Sequence, residues 1–364
     1  MSRYFYYFYT VGLLINTIFF VPRILLSERY DGSVMAVFAG ILFGSVSAFL
    51  FTKAMMRFPG EGIPEIFERN FPKILRIPLL IGLAMMWTIA GSIILVAFSS
   101  ISIRFLSPET NPAFMLMFYC AFGCYAASFR PTTVLNMAEL IILLNLPFVA
   151  FIMYKLISSP YFEWDSIQVL ADYVFRFPSL TSFAAATYPF TGYISLALYN
   201  RLYEKTRVGH LWILPTIGTA VMLVSYFVPI GLLGIDSVDH YIYTWITAVD
   251  TLRMKFGFID RALYLFLFMY IGLSLLFIAI SWNVGSLLVR DAFGFESVTV
   301  LKVKVPPQVM INAGFAIATF LFGVNSSDKS LIEFVSGWLN TRLAAEILLV
   351  IIVIWLSRRE VKHA

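Results

Sequence analysis

The chain has 364 residues, 60% of them apolar and only 13% charged, with a formal net charge of +5 from 26 Lys and Arg against 21 Asp and Glu. Soluble domains carry about 25% charged residues, and one bilayer crossing takes roughly 20 mostly apolar residues. Apolar sequence sufficient for about ten crossings excludes a soluble enzyme, a disulfide scaffold and a disordered chain, and places the protein among all-α polytopic membrane proteins.

Ten spans are predicted, over residues 4–27, 33–56, 78–103, 112–129, 133–156, 181–200, 209–232, 261–288, 306–325 and 338–357. The first follows only Met1, Ser2 and Arg3 and lacks a small-residue cleavage site, so it reads as a retained helix rather than a signal peptide. Its opening run, Tyr4-Phe5-Tyr6-Tyr7-Phe8-Tyr9, suits an interfacial aromatic belt. Asn16-Thr17 and Val21-Pro22-Arg23 interrupt it further on. The loop 57–77 is punctuated by prolines and carries an apolar face at Ile63, Ile66, Phe67 and Phe71, which predicts an amphipathic helix lying on the inner membrane surface.

The fourth span holds the two cysteines, Cys120 and Cys124, four apart on one helix face, where they read as small packing residues. The fifth carries Glu139, with Asn136 and Asn145 nearby on the same helix. The sixth contains Tyr188-Pro189-Phe190-Thr191-Gly192-Tyr193, in which Pro removes a backbone donor and Gly loosens the turn. The tenth carries Arg342 one turn before Glu346, a spacing that lets the two charges neutralise each other.

Sorting the basic residues with the N-terminus inside puts 16 of the 26 on the cytoplasmic side. Lys53, Arg57, Arg69, Lys73, Arg76, Arg201, Lys205, Arg207, Arg290, Lys302, Arg358 and Arg359 are among them. An even number of spans returns the C-terminus to the same side, so both termini are expected in the cytoplasm. The chain is expected to be one integral domain, 1–364, with halves of about 4–156 and 181–357.

Ionisable groups within spans are costly in hydrocarbon and mark sites or buried pairs. Glu139, Arg342 and Glu346 are therefore candidates for coupling, against a purely structural role in each case. Spans one and six are corresponding members of two five-helix halves, and broken helices at such positions hold substrates near the midplane of transporters built as inverted repeats. An opened sixth span would offer unpaired backbone groups to a ligand. No Gly-rich phosphate loop, His-Glu-x-x-His or Gly-x-Ser-x-Gly sequence is present. His210, His240 and His363 are too few and scattered for a metal centre, so no cofactor, metal, nucleic acid or enzymatic activity is expected.

Several motifs in order carry a resemblance: Val21-Pro22-Arg23, Phe58-Pro59 through Pro64-Glu65-Ile66, Pro189-Phe190-Thr191-Gly192-Tyr193 and Phe258-Ile259-Asp260-Arg261. Together they resemble the endospore germination permease family, the integral B subunits of spore germinant receptors within the amino acid–polyamine–organocation transporter superfamily. The sequence departs from the family pattern at Leu14-Ile15-Asn16-Thr17, where small glycine-rich backbone is usual. It departs again at Ile194, where Glu is frequent, and at Tyr270, where Trp is usual.

The resemblance implies a LeuT-type fold of ten helices in two inverted repeats of five, with helices one and six broken. It implies recognition of a small nutrient germinant, amino-acid-like or otherwise neutral or zwitterionic, in the inner spore membrane. The receptor's A subunit and lipoprotein C subunit are the implied partners. The pocket residues expected on that basis are Asn16, Thr17, Trp87, Tyr188, Phe190, Thr191, Gly192 and Tyr193, with no buried charge among them. The rival readings are a proton-coupled amino-acid permease of the same fold, using Glu139 or Glu346, and, from another class, an intramembrane enzyme.

Overall fold

The computed structural model describes residues 2–202, 210–256, 259–300 and 303–363. Met1, Lys205, Arg207, the Gly209 start of the seventh span, Phe258 and Lys302 lie outside the described residues. The architecture is helical, with two short antiparallel hairpins. One pairs β1 (Arg253–Phe256) with β2 (Ile259–Arg261), the other β3 (Val298–Val300) with β4 (Val303–Val305).

The chain opens with α1 (Ser2–Asn16) and α2 (Phe20–Ser27), two parts of one apolar segment bent by 48°. Local chemistry accounts for the bend. Pro22 has no N–H for the carbonyl four residues earlier and its ring crowds that turn. The Thr17 hydroxyl donates to the carbonyls of Leu13 (2.8 Å) and Leu14 (3.1 Å), competing with the helix ladder. There follow α3 (Ser33–Met55), α4 (Ile63–Asn70), α5 (Lys73–Phe105), α6 (Pro112–Ala127), α7 (Pro131–Ile157) and the short α8 (Trp164–Gln168).

The sixth predicted span is not one regular helix. It runs as α9 (Leu180–Thr187), a 3₁₀ segment (Tyr188–Ser195), α10 (Leu196–Tyr199) and a 3₁₀ turn (Asn200–Leu202). Then come α11 (Ile213–Leu233), α12 (Thr244–Asp250), α13 (Ala262–Phe293), α14 (Pro307–Val324) and α15 (Asp328–His363).

Among the described residues, seven helices are long and apolar enough to cross a bilayer, or eight with the bent pair counted as one. They are α3, α5, α7, α11, α13, α14 and α15. The outer faces of these helices and of the shorter apolar helix α6 carry Phe114, Phe118, Leu140, Leu144, Ile317 and Leu321 exposed. A band of large apolar side chains of this kind is a lipid-facing surface rather than a watery one. The protein is a polytopic helical membrane protein. The helix α13 runs through the middle of the bundle, with two thirds of its apolar window buried, whereas α14 sits at the edge with about a tenth buried.

Polar contacts gather at two ends. At one, Arg57 donates to the Ser357 carbonyl (3.1 Å), Arg69 pairs with Glu360, and Arg201 reaches Asp291 (2.9 Å) and Glu65 (3.6 Å). The Asn200 amide donates to the carbonyls of Phe58 (2.7 Å) and Glu61 (2.8 Å) there. At the other, Arg29 pairs with Asp239 (2.9 Å), Arg23 donates to the Asp239 carbonyl, and Arg104 pairs with Asp328 (3.3 Å). Arg57, Arg69 and Arg201, three of the basic residues that the sequence assigns to one side, share one end of the bundle.

Three expectations are corrected. Half of the aromatic run at the start of α1 is core rather than an interfacial belt: Phe5, Phe8 and Tyr9 are buried, with Phe8 stacked on Tyr199 at 4.7 Å between centroids, while Tyr4, Tyr6 and Tyr7 are half-buried. Of the apolar face expected over 57–77, Ile63, Ile66 and Phe67 are fully buried against protein rather than laid on lipid, and Phe71 just beyond α4 is half-buried. The sixth span does not open at Pro189-Gly192. It tightens into 3₁₀ geometry, which leaves fewer free backbone groups than a break would.

Candidate functional site

The 3₁₀ segment packs against α1 at very short range because both carry glycine at the contact. A Cβ on Gly192 would stand 2.7 Å from the Tyr9 Cα, and one on Gly12 would stand 3.2 Å from the Gly192 Cα. Beside this crossing lies a cavity of about 60 Å³, room for about four waters. Phe8, Val11 and Gly12 line it from α1, Leu83, Met86 and Trp87 from α5, and Phe277 and Ile280 from α13. Tyr188, Thr191, Gly192, Ile194 and Ser195 line it from the 3₁₀ segment, and Trp338, Arg342 and Glu346 from α15.

A 3₁₀ helix repeats every three residues, so side chains at i and i+3 eclipse. Tyr188, Thr191 and Ile194 therefore share one face, and that face is the cavity wall. Phe190 and Tyr193 point elsewhere. Phe190 is fully buried in a slot made by Gly44 and Gly218, where added Cβ atoms would stand 2.5 and 2.3 Å from its ring.

The cavity floor carries a buried ion pair. Arg342 Nη1 lies 2.5 Å from Glu346 Oε2, with the two side chains 5% and 1% exposed. Arg342 Nη2 donates to the Ala184 carbonyl (2.8 Å) and to Thr187 Oγ1 (2.7 Å). Glu346 Oε1 accepts the Tyr193 hydroxyl. The guanidinium also sits 5.3 Å from the centre of the Tyr188 ring, which in turn meets Trp338 edge-on at 5.2 Å. Such pairs persist in low dielectric only when their remaining hydrogen-bonding capacity is met. It is met here except at Arg342 Nε, and the Trp338 indole N–H is likewise buried without a partner. The wall is thus largely apolar, and the two donors left over are buried in the side chains around it.

Of the residues expected at the site, Trp87, Tyr188, Thr191, Gly192, Arg342 and Glu346 line the cavity. Tyr193 acts one step behind it, through Glu346. Asn16 is buried at the bend and does not line it, and Thr17 lines a separate cavity farther along the bent span. The reason is geometric: the bend lies a turn beyond Gly12, where α1 meets the 3₁₀ segment. Glu139 stands half-buried on α7 and lines neither cavity. The expectation of a pocket without buried charge is overturned, because α15 brings Arg342 and Glu346 into its wall. Where a carboxylate would follow Gly192 in the family pattern, Ile194 lines the cavity and the carboxylate comes from α15.

Sequence reasoning missed Phe8, Gly12, Leu83, Met86, Phe277, Ile280 and Trp338. Only Trp338 had a signal, an aromatic residue one turn from an intramembrane arginine.

Residues 7–322 match the family described as spore germination protein. The chain belongs to that family. No curated protein matches it in sequence. The Arg342–Glu346 cavity brings apolar walls together with a few polar groups, a combination that small-molecule sites share. The matched stretch takes in α1 from residue 7, α5, the 3₁₀ segment and α13; the ion pair on α15 lies beyond it.

Proposed function

We propose that the protein is the membrane subunit of a spore germinant receptor and binds a small neutral or zwitterionic nutrient in the Arg342–Glu346 cavity. The observation that carries this reading is the wall itself. The ion pair has no net charge, so a strongly charged ligand gains nothing to offset its desolvation. Arg342 and Trp338 carry N–H groups without partners next to the cavity, within reach of a carboxylate or carbonyl oxygen after a small side-chain turn, and Phe8, Trp87 and Phe277 enclose an apolar remainder.

The same reading takes α6 and residues 180–202 as the fourth and sixth of ten spans in a LeuT-type pair of inverted repeats. The end bearing Arg57, Arg69 and Arg201 then faces the cytoplasm, in the inner spore membrane, with the A subunit and the lipoprotein C subunit as partners. Both rest on family membership and loop charge.

Germination of spores carrying Arg342→Lys, measured against nutrient concentration at matched protein level, tests it. A right-shifted response is expected, because Lys cannot keep the forked contacts of Arg. An unchanged response would move the site elsewhere. The permease rival is favoured only by the burial of Glu346, and it requires pH-driven uptake of labelled nutrient into vesicles that Glu346→Gln abolishes.

A further inference from the structure

We infer that a third cavity, at the Arg57 end of the bundle, binds the headgroup of a phospholipid that carries both a phosphodiester and a primary ammonium group. Its volume is about 630 Å³, within the roughly 300–1,000 Å³ usual for small-molecule sites. Glu65 and Glu68 line it from α4, Lys73 and Arg76 from α5, and Arg290 and Asp291 from α13. Phe293 and Phe295 complete its rim.

Helix length sets its depth. With 33 residues in α5 and 32 in α13, each is about 50 Å long, against a hydrocarbon core of about 30 Å. The long uncharged run of α5 begins at Ile77, directly after Arg76, and that of α13 ends at Val289, directly before Arg290. The charged lining therefore stands at the membrane surface, level with lipid headgroups. The mouth is flanked by apolar side chains that continue the lipid-facing surface: Ile74 is 90% exposed, and Leu75, Phe293 and Phe295 are exposed as well. Gly294 closes α13 with a φ of 69°, and the N–H groups of Gly294 and Phe295 both donate to the Arg290 carbonyl (2.8 and 3.2 Å). That turn stacks Phe295 on Phe293 with centroids 5.3 Å apart.

Three cations and three carboxylates line the cavity, so its formal charge is zero. Arg76 pairs with Glu68, and Asp291 accepts from Arg290 (2.6 Å) and from Arg201 behind it (2.9 Å). Lys73 is exposed and makes no ion pair among the described residues. Glu65 and Glu68 are exposed too, and a carboxylate has about four acceptor sites, so each keeps capacity beyond its present contacts. A phosphate oxygen thus meets Lys73, and an ammonium, with three N–H donors, meets Glu65 and Glu68.

The alternatives fit less well. Anionic headgroups gather where Lys and Arg are in surplus, and here carboxylates cancel them. A choline headgroup has no N–H to give to Glu65 or Glu68. A soluble phosphate ester would leave the exposed side chains of Ile74, Phe293 and Phe295 uncovered.

The test titrates the full chain in mild detergent with dioleoyl phosphatidylethanolamine, phosphatidylcholine and phosphatidylglycerol, and counts bound lipid by native mass spectrometry. One saturable ethanolamine-lipid adduct is expected, several-fold tighter than either of the others. Lys73→Ala should weaken it by up to about fivefold, the worth of one exposed charge contact. Glu68→Gln should remove the advantage over choline and leave choline-lipid affinity unchanged. Both positions are exposed, and matched Tm values confirm that the variants fold. Glycerophosphoethanolamine, the headgroup without chains, should not displace the lipid at equal concentration. Equal affinity for the three lipids, tightest binding of phosphatidylglycerol, an ethanolamine preference untouched by both variants, or displacement by the chain-free headgroup would each overturn the site.

Discussion

The Tyr193 hydroxyl donates to Glu346 across 153 residues of sequence, so that one carboxylate holds the 3₁₀ segment and α15 together. The same carboxylate neutralises Arg342, whose other nitrogen grips Ala184 and Thr187 at the end of α9. Glu346→Gln would keep the shape and leave Arg342 as an uncompensated buried charge, at a cost of about 3–5 kcal/mol. Thermal unfolding in detergent should show a large loss of Tm. The double variant Arg342→Leu/Glu346→Leu should recover most of it without recovering a germination response. Recovery of both would mean that the pair serves packing alone.

Gly192 and Gly337 make a matched contrast. An alanine at 192 would force its Cβ onto the Tyr9 backbone, and overpacking of this sort costs about 1–3 kcal/mol. Gly192→Ala should therefore lower stability as well as response. Gly337, on the exposed face of α15, has nothing within 4 Å of an added Cβ. Gly337→Ala should hold or slightly raise Tm. Equal effects at both positions would contradict the close crossing of α1 and the 3₁₀ segment.

Thr191 and Trp338 both line the ion-pair cavity, yet their hydrogens differ. Thr191 already donates to the Tyr188 carbonyl at 2.7 Å, whereas the Trp338 N–H has no partner. Trp338→Phe should raise the nutrient concentration for half-maximal germination roughly five- to tenfold, the worth of about one hydrogen bond. Thr191→Val should shift it far less. The reverse order would place the ligand's polar end against the 3₁₀ segment.

At the opposite end from Arg57, burial raises the Asp239 carboxyl. The hydrogen bond and charge of Arg29, 2.9 Å away, more than offset that, so it lies below the ordinary carboxylate value. A carboxylate depressed on folding stabilises fully above its unfolded pKa, about 3.9, and that stabilisation disappears as pH falls through the lower folded value. The Tm gap between wild type and Asp239→Asn should stay constant from about pH 7 to 5 and close below about pH 4. A gap that persists undiminished into stronger acid would rule out the Arg29 contact as its source.

Orientation is open to direct labelling. Glu68 is largely exposed at the Arg57 end, so Glu68→Cys in a chain with Cys120 and Cys124 replaced by Ala presents one accessible thiol. An impermeant maleimide applied to sealed cells should label it only after permeabilisation. Labelling of intact cells would invert the assignment.

The long spans were legible in the sequence because lipid demands some 20 apolar residues in a row, and no partner chain segment is needed to state that demand. The bend at Asn16-Thr17 was legible for a similar reason, since proline and a back-bonding hydroxyl act on their own helix. So was the Arg342–Glu346 pair, set by spacing within α15. What lay beyond one helix was decided by tertiary structure. A proline and a glycine three apart announce irregularity at 189–192 but not its form, and the choice of 3₁₀ geometry sends Tyr188 and Thr191 into the cavity and Phe190 and Tyr193 out of it. Phe8 read as an interfacial aromatic because its partner Tyr199 is 191 residues distant. Glu346 became part of a site only where α15 crosses the 3₁₀ segment. Helix formation is governed by near neighbours, but a cavity wall is assembled from several helices, and which faces meet depends on glycines that let backbones touch.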